Sequence, residues 1–492
     1  MEPPERLTRA RFLRRSAAAG AGLALASAGG YGLDRLLAGN DARAARTGRH
    51  AWRFHTLPHL QPPRVTVLHR AEDTAPGRLF VAPTSGPGHH GVMIVDDAGD
   101  PIWFRKTEPR TATDFKVSIY RGKPVLTWWE SLEGGGALGD GRHVIVDQHY
   151  RELARFPAGG GRPADLHELL LTPQGTALVT SFETRRADLR NVGHSKHGLV
   201  TGGVAQELEV PSARVLFEWR SLDHVPVTDA YNPVGYPWDY FHINAIDPID
   251  DDHLLISGRN TWTAYKIHRP SGRIVWRLGG KRSDFALGKG ARFAYQHDAR
   301  WHDGGRLISV FDNGGAERTQ VESQSRGLVL ALDHRRRRAT VAREYLHHPP
   351  VFGRVMGNVQ FLPNGNAFVG WGADPHFTEF APDGGVRFDA TLPHGGESYR
   401  AFRFPWQGKP LEPPAVALVG RTLHVSWNGA TDVAAWRLEA GASAERLRAA
   451  RTQPKRGFET ALELPAGARR ASVVALDRHG NALGRSKLIA VR

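Results

Sequence analysis

Three short stretches place a histidine at the same point ahead of a turn: DLHELLLTPQG (165–175), FHINAID (241–247) and QHDARWHDG (296–304). Aligned on those turns, His167, His242 and His297 share one register with Lys116 and Asn358, and each opens a short apolar strand. Asn244 stands two residues beyond His242. Arg326 in SQSRGLVLALD and His376 in ADPHFTEF head strands of another kind. Imidazole, guanidinium and amide groups gathered in one place can bind a tetrahedral anion, steady a group in transfer, move a proton or supply a nucleophile. Three histidines can equally hold zinc or another transition metal. With only 24 histidines in 492 residues, three in five aligned positions exceeds chance, and a functional cluster is expected. His89, His90 and Arg142 are looser candidates, while His89-His90 and His347-His348 read as loop residues.

The elements that must position these residues repeat. A hairpin with a Gly or polar turn recurs as DDAGDPIWF (96–104), DQHYRELARF (147–156), VPSARVLFEW (210–219), HRPSGRIVWRL (268–278), DHRRRRATVAREY (333–345) and APDGGVRFDATL (381–392). A second hairpin precedes each of the last five, at 116–129, 167–182, 242–258, 297–312 and 358–372. Two hairpins make a four-stranded sheet, and six such sheets about an axis make a six-bladed β-propeller. A long sandwich would not explain so regular a period. In a propeller the aligned strand heads face one another across the central channel, so the histidines are expected to converge there. The predicted class is therefore all-β: a six-bladed β-propeller over residues 60–408, followed by a small β-sandwich over 412–492. That module resembles a fibronectin type III fold, with Trp427 and Trp436 as core and no evident chemistry.

Bulk properties agree and exclude several functions. The 55 glycines and 32 prolines are scattered as turn punctuation, and 40% of residues are hydrophobic, which suits many short strands around a sizeable core. The net charge of +15 comes mostly from dispersed arginine; its tight run HRRRR (334–338) falls at a turn, and no nucleic-acid module is present. There is no cysteine, so disulfides, thiolate metal sites and cysteine nucleophiles are excluded. Residues 1–44 read as a twin-arginine-like export signal or an N-terminal anchor. TRARFLR puts Ala10 where one paired arginine belongs, and uncharged residues run from Ser16 to Leu33. Export to the cell envelope or beyond is expected, with ARA (42–44) as a cleavage site; an uncleaved segment would give membrane association.

No P-loop, nucleophile elbow or dinucleotide fingerprint has a credible context, and GGGALG (134–139) reads as a surface loop. Paired carboxylates for glycoside hydrolysis are absent from the aligned positions. Taken together and in order, WDYFHINAID with its following DDHLLISGRNTWTAYKIHRPSGRIVWRLGG, then QHDARWHDGGRLISVFDNG, SQSRGLVLALD and GNVQFLPNGNAFVGWG resemble the arylsulfotransferase family over about residues 60–406. The trailing SYRAFRFPW is most similar to the branch found in actinobacteria and fungi. The resemblance implies an often exported propeller that moves a sulfuryl group from an aryl sulfate to a phenol without a nucleotide donor, through a sulfohistidine. Its partners are those two small molecules, with no nucleic acid, no cofactor and no metal. By motif, His242 and His297 match two family histidines and Arg326 matches the arginine of the SR motif. His376 is the candidate for the sulfated histidine, and His167, Asn244, Asn358 and Lys116 are expected to bind substrate. The disulfide of some members cannot form here. Two other readings stay open: a propeller that only binds an anion or a partner, and a metal-dependent hydrolase or lactonase built on the histidines.

Overall fold

The computed structural model describes residues 50–132, 140–316 and 319–491. The export or anchor segment lies outside these residues. Among the described residues no helix is long and apolar enough to cross a membrane.

The chain is all-β. Among the described residues between Thr66 and Phe404 it forms six sheets of four or five strands, antiparallel except where the short strands Trp238–Asp239 and Ala286–Leu287 join two of them in parallel, beside one two-stranded ribbon, Gly315–Ala316 with Thr319–Gln320. Both hairpins of each repeat join one sheet, as the second unit shows. Ala112–Tyr120 pairs with Lys123–Ser131, which continues into Gly141–Val146 and Glu152–Phe156. The same order builds the sheets that begin at Leu169–Leu171, Ile243–Asp250, His297–His302 and Asn358–Phe361. Val/Ile/Leu-rich middle strands are buried on both faces, as Leu254, Leu255 and Ile256 are, because each sheet packs between two others.

Closure comes from the two ends of this region. Ser398–Phe404 pairs with Arg78–Pro83, so the last strand becomes the first strand of the first sheet. Thr66–Arg70 caps the outer edge of the last sheet by pairing with Val386–Thr391. Arg78 sits opposite Phe404 and Val81 opposite Ala401. SYRAFRF reads as a lead into the next module, yet it closes this one. Leading strands then neighbour each other in a circuit: Ser398–Phe404 beside Ala112–Tyr120, and so on round to Asn358–Phe361, with the third sheet meeting the fourth through Thr176–Ala187.

Where the leading strands meet, six charged groups are buried together. Glu168 accepts from Lys116 Nζ at 3.0 Å, Arg300 at 2.6 Å and Arg400 at 3.1 Å. Asp114 accepts from Lys116 at 2.6 Å and Arg400 at 2.8 Å. Asp298 takes Arg300 at 2.6 Å and the Val359 amide at 3.0 Å, while Arg400 also donates to the Asn244 carbonyl at 3.2 Å. Three cations thus face these three carboxylates, and Asp247 stands a further 3.7 Å from Arg300 at the edge of the cluster. Burial works against the Glu168 charge, but Arg300, Arg400 and Lys116 hold its carboxyl well below the usual range.

Beyond Phe404, two further antiparallel sheets enclose one core of Leu423, Val425, Trp436, Leu438, Leu462 and Val473. Trp436 is fully buried, whereas Trp427 packs at its margin. Asn428 anchors this unit to the first sheet, accepting from the Phe104 amide at 2.9 Å and donating to its carbonyl at 3.0 Å.

Glu168→Gln leaves three buried cations facing two carboxylates. We expect it to lower unfolding free energy by about 3–5 kcal/mol, the usual consequence of removing one partner from a buried ion cluster. Urea unfolding followed by tryptophan fluorescence measures this. A change below about 1 kcal/mol would show the cluster to be dispensable.

Candidate functional site

Antiparallel pairing returns the end of each second strand to the head of the first. In the fourth sheet Ile243 pairs with Gly258, and the Arg259 amide donates to the His242 carbonyl at 3.0 Å. In the fifth sheet His297 pairs with Phe311, which brings Asn313 beside His297. His242 has φ 54°, in the left-handed region that a non-glycine residue rarely adopts. Its side chain is thereby turned out of the strand's ordinary alternation.

His167, His242 and His297 converge. All three are buried, at 2%, 6% and 2% exposure, and one ring nitrogen of each lies within 4.8 Å of the others. The His167 and His242 ring centres are 4.9 Å apart and edge-on, and those of His167 and His297 are 6.3 Å apart. Tyr399 sets its ring edge-on to His167 at 5.5 Å and to His297 at 6.4 Å. Phe182 covers His242 at 5.9 Å. Burial pushes the Tyr399 hydroxyl pKa well up, and that hydroxyl has no hydrogen-bond partner among the described residues.

Each imidazole is held by its Nδ1. His167 donates to Asp165 Oδ2 at 2.8 Å, and Thr180 Oγ1 donates to the same oxygen at 2.7 Å. His242 donates to Asp239 Oδ2 at 2.5 Å. His297 donates instead to a neutral group, Asn313 Oδ1, at 2.7 Å. The Asn313 amide cannot turn over, because its Nδ2 donates to the carbonyls of Gly353 at 2.6 Å and Met356 at 3.0 Å. With a proton fixed on every Nδ1, the lone pairs lie on the Nε2 atoms. That of His297 accepts one long bond, 3.3 Å, from the Met356 amide.

Electrostatics separate the three rings. Burial, then Arg259, push the His297 pKa well below 6.5, and the Asn313 amide does little to oppose them. Burial also lowers His242, against the pull of Asp239. Burial works against the Asp165 charge as well, yet His167 and Thr180 hold that carboxyl low. The site sets three imidazole Nε2 atoms around one space, with one guanidinium at its side. Arg259 is 4% exposed, donates to Asn260 Oδ1 at 2.9 Å and lies 5.0 Å from the Tyr295 ring centre. Tyr295 packs on Trp262, which stacks on Tyr231 at 3.7 Å.

The remaining sequence candidates stand elsewhere. Arg326 is committed to Asp312 at 2.9 Å, Glu344 at 2.5 Å and the Arg292 carbonyl at 2.7 Å, none of which belongs to the imidazole cluster. His376 donates Nδ1 to Asp374 at 2.6 Å and lines a separate cleft of about 510 Å3 with His69, His347, His348 and Asp389. The third strand that it heads places it there, away from the leading strands. His347 of this cleft lies in a loop, as expected, and is buried there, bonding the Pro349 carbonyl at 2.7 Å. Lys116 is spent on Asp114 and Glu168. Asn358 clasps both backbone groups of Ala401 at 2.9 Å, and Asn244 donates to the Gln296 carbonyl at 2.7 Å. These three join leading strands to one another. Sequence reasoning missed Asp165, Asp239, Asn313, Arg259 and Tyr399. The signal for the first two was present: DLH and DYFH each put an aspartate two or three residues before the histidine.

A family model described as arylsulfotransferase (ASST) matches residues 116–392, more than half of the chain. No curated protein matches it. Among solved structures, a protein of unknown function from Bacteroides caccae is similar at 13% identity, covering 67% of this chain and 100% of its own, with a TM-score of 0.41. Apo AztD from Citrobacter koseri is similar at 10% identity, over 66% and 97% of the two chains, with a TM-score of 0.32. The β-propeller domain of Cps50 (Swd1) from Myceliophteria thermophila shares 13% identity over 65% and 98%, with a TM-score of 0.31.

His297 should not titrate like an ordinary histidine. In a carbon-13 NMR titration its Cε1 signal should hold still from about pH 8 through about pH 6, where a free histidine is more than half protonated. Its neutral form stabilises the fold above about pH 6.5, and that contribution is lost as pH falls through the lower folded value. A midpoint near 6.5 would contradict this.

Proposed function

The chain belongs to the arylsulfotransferase family, and on that footing we propose that it transfers a sulfuryl group from an aryl sulfate to a phenol through His297. The six sheets and their closed circuit support reading this region as a six-bladed propeller with the site on its axis, and the module after it as fibronectin type III-like. The observation that carries the functional reading is the Nδ1 partners: two imidazoles rest on carboxylates, and only His297 rests on an amide.

A nucleophile must be unprotonated at working pH, and burial without a carboxylate partner keeps His297 so. A proton carrier gains from a carboxylate that steadies its cationic form, as Asp239 does for His242. The cycle starts from the form in which His242, over Asp239, carries a proton on Nε2 as well as on Nδ1. In the first half-reaction His297 Nε2 attacks sulfur, the S–O(aryl) bond breaks, and the leaving oxygen takes that Nε2 proton. In the second, neutral His242 accepts the proton of the incoming phenol. The phenol oxygen attacks sulfur, and the S–N bond returns its electron pair to His297. His242 ends protonated, ready for the next donor. Arg259 neutralises the equatorial oxygens of the sulfuryl group, whose spread charge resembles that of phosphoryl transfer. This reading moves the covalent role from His376 to His297 and the cationic role from Arg326 to Arg259.

Release of 4-nitrophenol from its sulfate, with phenol as acceptor, tests it. His297→Ala should abolish both transfer and the acid-labile adduct that mass spectrometry maps. Arg259→Met should lower kcat/KM about a hundredfold or more. His376→Ala should leave turnover close to normal. An adduct on His376, or full activity in His297→Ala, would defeat the assignment.

A further inference from the structure

We propose that the trio His167, His242 and His297 is also a binding site for one divalent d-block cation of the zinc class. The inference stands on the geometry of the rings and does not depend on the sulfuryl reading.

Four features of the site point the same way. Three imidazoles from three different sheets offer one nitrogen each within 4.8 Å. Every Nδ1 is already bonded, to Asp165, Asp239 and Asn313, so Nε2 is the nitrogen each ring has left. An acceptor behind each ring is the arrangement that orients histidine toward a metal and strengthens it as a ligand. Finally, the two aspartates bring negative charge that offsets a dication, against the single positive charge of Arg259. Zn–N bonds of about 2.0–2.1 Å imply nitrogens roughly 3.4 Å apart in a tetrahedral site. The rings must therefore draw in by about an ångström, and His297 must give up only the long 3.3 Å bond from the Met356 amide. Among the described residues no further His, Asp or Glu joins the trio. The fourth position is thus open to water or an oxyanion.

The other triplet, His55, His424 and Glu459, lacks this preparation. Glu459 already accepts from the Thr56 amide at 2.7 Å, the Thr56 hydroxyl at 2.7 Å and the His55 amide at 3.2 Å. Its oxygens are spent on joining the segment near residue 55 to the C-terminal unit, and His55 is exposed. It serves as the control.

A metal at the axial trio and a sulfuryl group cannot share His297 Nε2. Bound cation should therefore act as a competitor of an aryl sulfate rather than as a helper.

The test titrates chelator-treated full-length protein with Co2+, read by visible absorption. A single equivalent should give the intense d–d bands of tetrahedral cobalt, and Zn2+ should bleach them. His297→Gln and His167→Gln should lose the bands, Asp239→Asn should weaken binding by about 10–100-fold, and His424→Gln should leave it unchanged. Circular dichroism checks that each variant is folded. Should a ligand variant fail to fold, the wild-type stoichiometry and Asp239→Asn decide. Folded wild-type protein without a saturable tetrahedral band would overturn the proposal, as would bands that survive His297→Gln and vanish in His424→Gln. Because turnover is not the readout, failure here leaves the sulfuryl reading standing, and an inactive enzyme leaves the metal site standing.

Discussion

A buried ion cluster holds the leading strands together. Lys116, Arg300 and Arg400 face Asp114, Glu168 and Asp298, and through the Asn244 carbonyl and the Val359 amide the group reaches all six leading strands. Such a cluster is a poor source of net stability, since apolar residues of similar volume would do as well or better. What charges add is selectivity. A one-residue slip of any strand would separate a buried charge from its partner, a far larger loss than the slip of one methyl group. A closed circuit of short strands needs this kind of register lock, because an error in one sheet is carried round to all the others. Asp114 and Asp298 adopt left-handed φ values of 54° and 55°, at about 1–3 kcal/mol each, and the pairing irregularities at these residues mark where the strand bends to deliver its carboxylate.

The same lock aims the imidazoles. Along the chain the two groups are consecutive: His167 with Glu168, His297 with Asp298, Tyr399 with Arg400. In each pair one residue joins the ring cluster and the next joins the ions. Each ring is one peptide away from its charged neighbour, so fixing the charge restricts where the ring can stand, at His297–Asp298 through a left-handed bend. The ion cluster therefore acts as a support for the site. Damage to it should be felt as misplacement of the histidines even where the fold survives.

This pairing also explains what the sequence could disclose. Hairpin period and turn chemistry are local, and both hairpins of the last five repeats fell where the spacing put them, as did the single hairpin read in the first. The three histidines were legible because they recur in one register of a repeated unit. Lys116 and Asn358 read in that register but bond to neighbouring strands; Lys116 follows the irregularity at Asp114 as Arg300 follows the one at Asp298, so it stands at the place of Arg300 and not of His297, a shift that spacing does not reveal. Arg326 and His376 were read at the heads of third strands, Arg326 from its motif and His376 from its position after it, and neither signal says whether such a head reaches the imidazoles. Arg259 and Asn313 were missed for a related reason. Each sits just after a second strand, about sixteen residues from its histidine in sequence but across one hairpin in space. The closing role of SYRAFRF was equally out of reach, since its partner strand lies over three hundred residues away.

The identity of the third Nδ1 partner decides what the site can be. With a carboxylate behind every ring, three negative charges would face the three imidazoles, and a dication would be favoured outright over an anionic substrate. With amides behind all three, no ring could carry a proton cheaply. Two aspartates and one asparagine give a mixed site, with Arg259 offsetting one of the two carboxylates. Such a site tolerates an incoming anion, keeps one lone pair unprotonated, and still offers three nitrogens to a cation. The chemistry open to the protein thus turns on Asn313. Its orientation is locked by the Gly353 and Met356 carbonyls, and those lie in the loop leading to the last of the six sheets. The protonation state of His297 is in this way tied to the correct closure of the whole circuit.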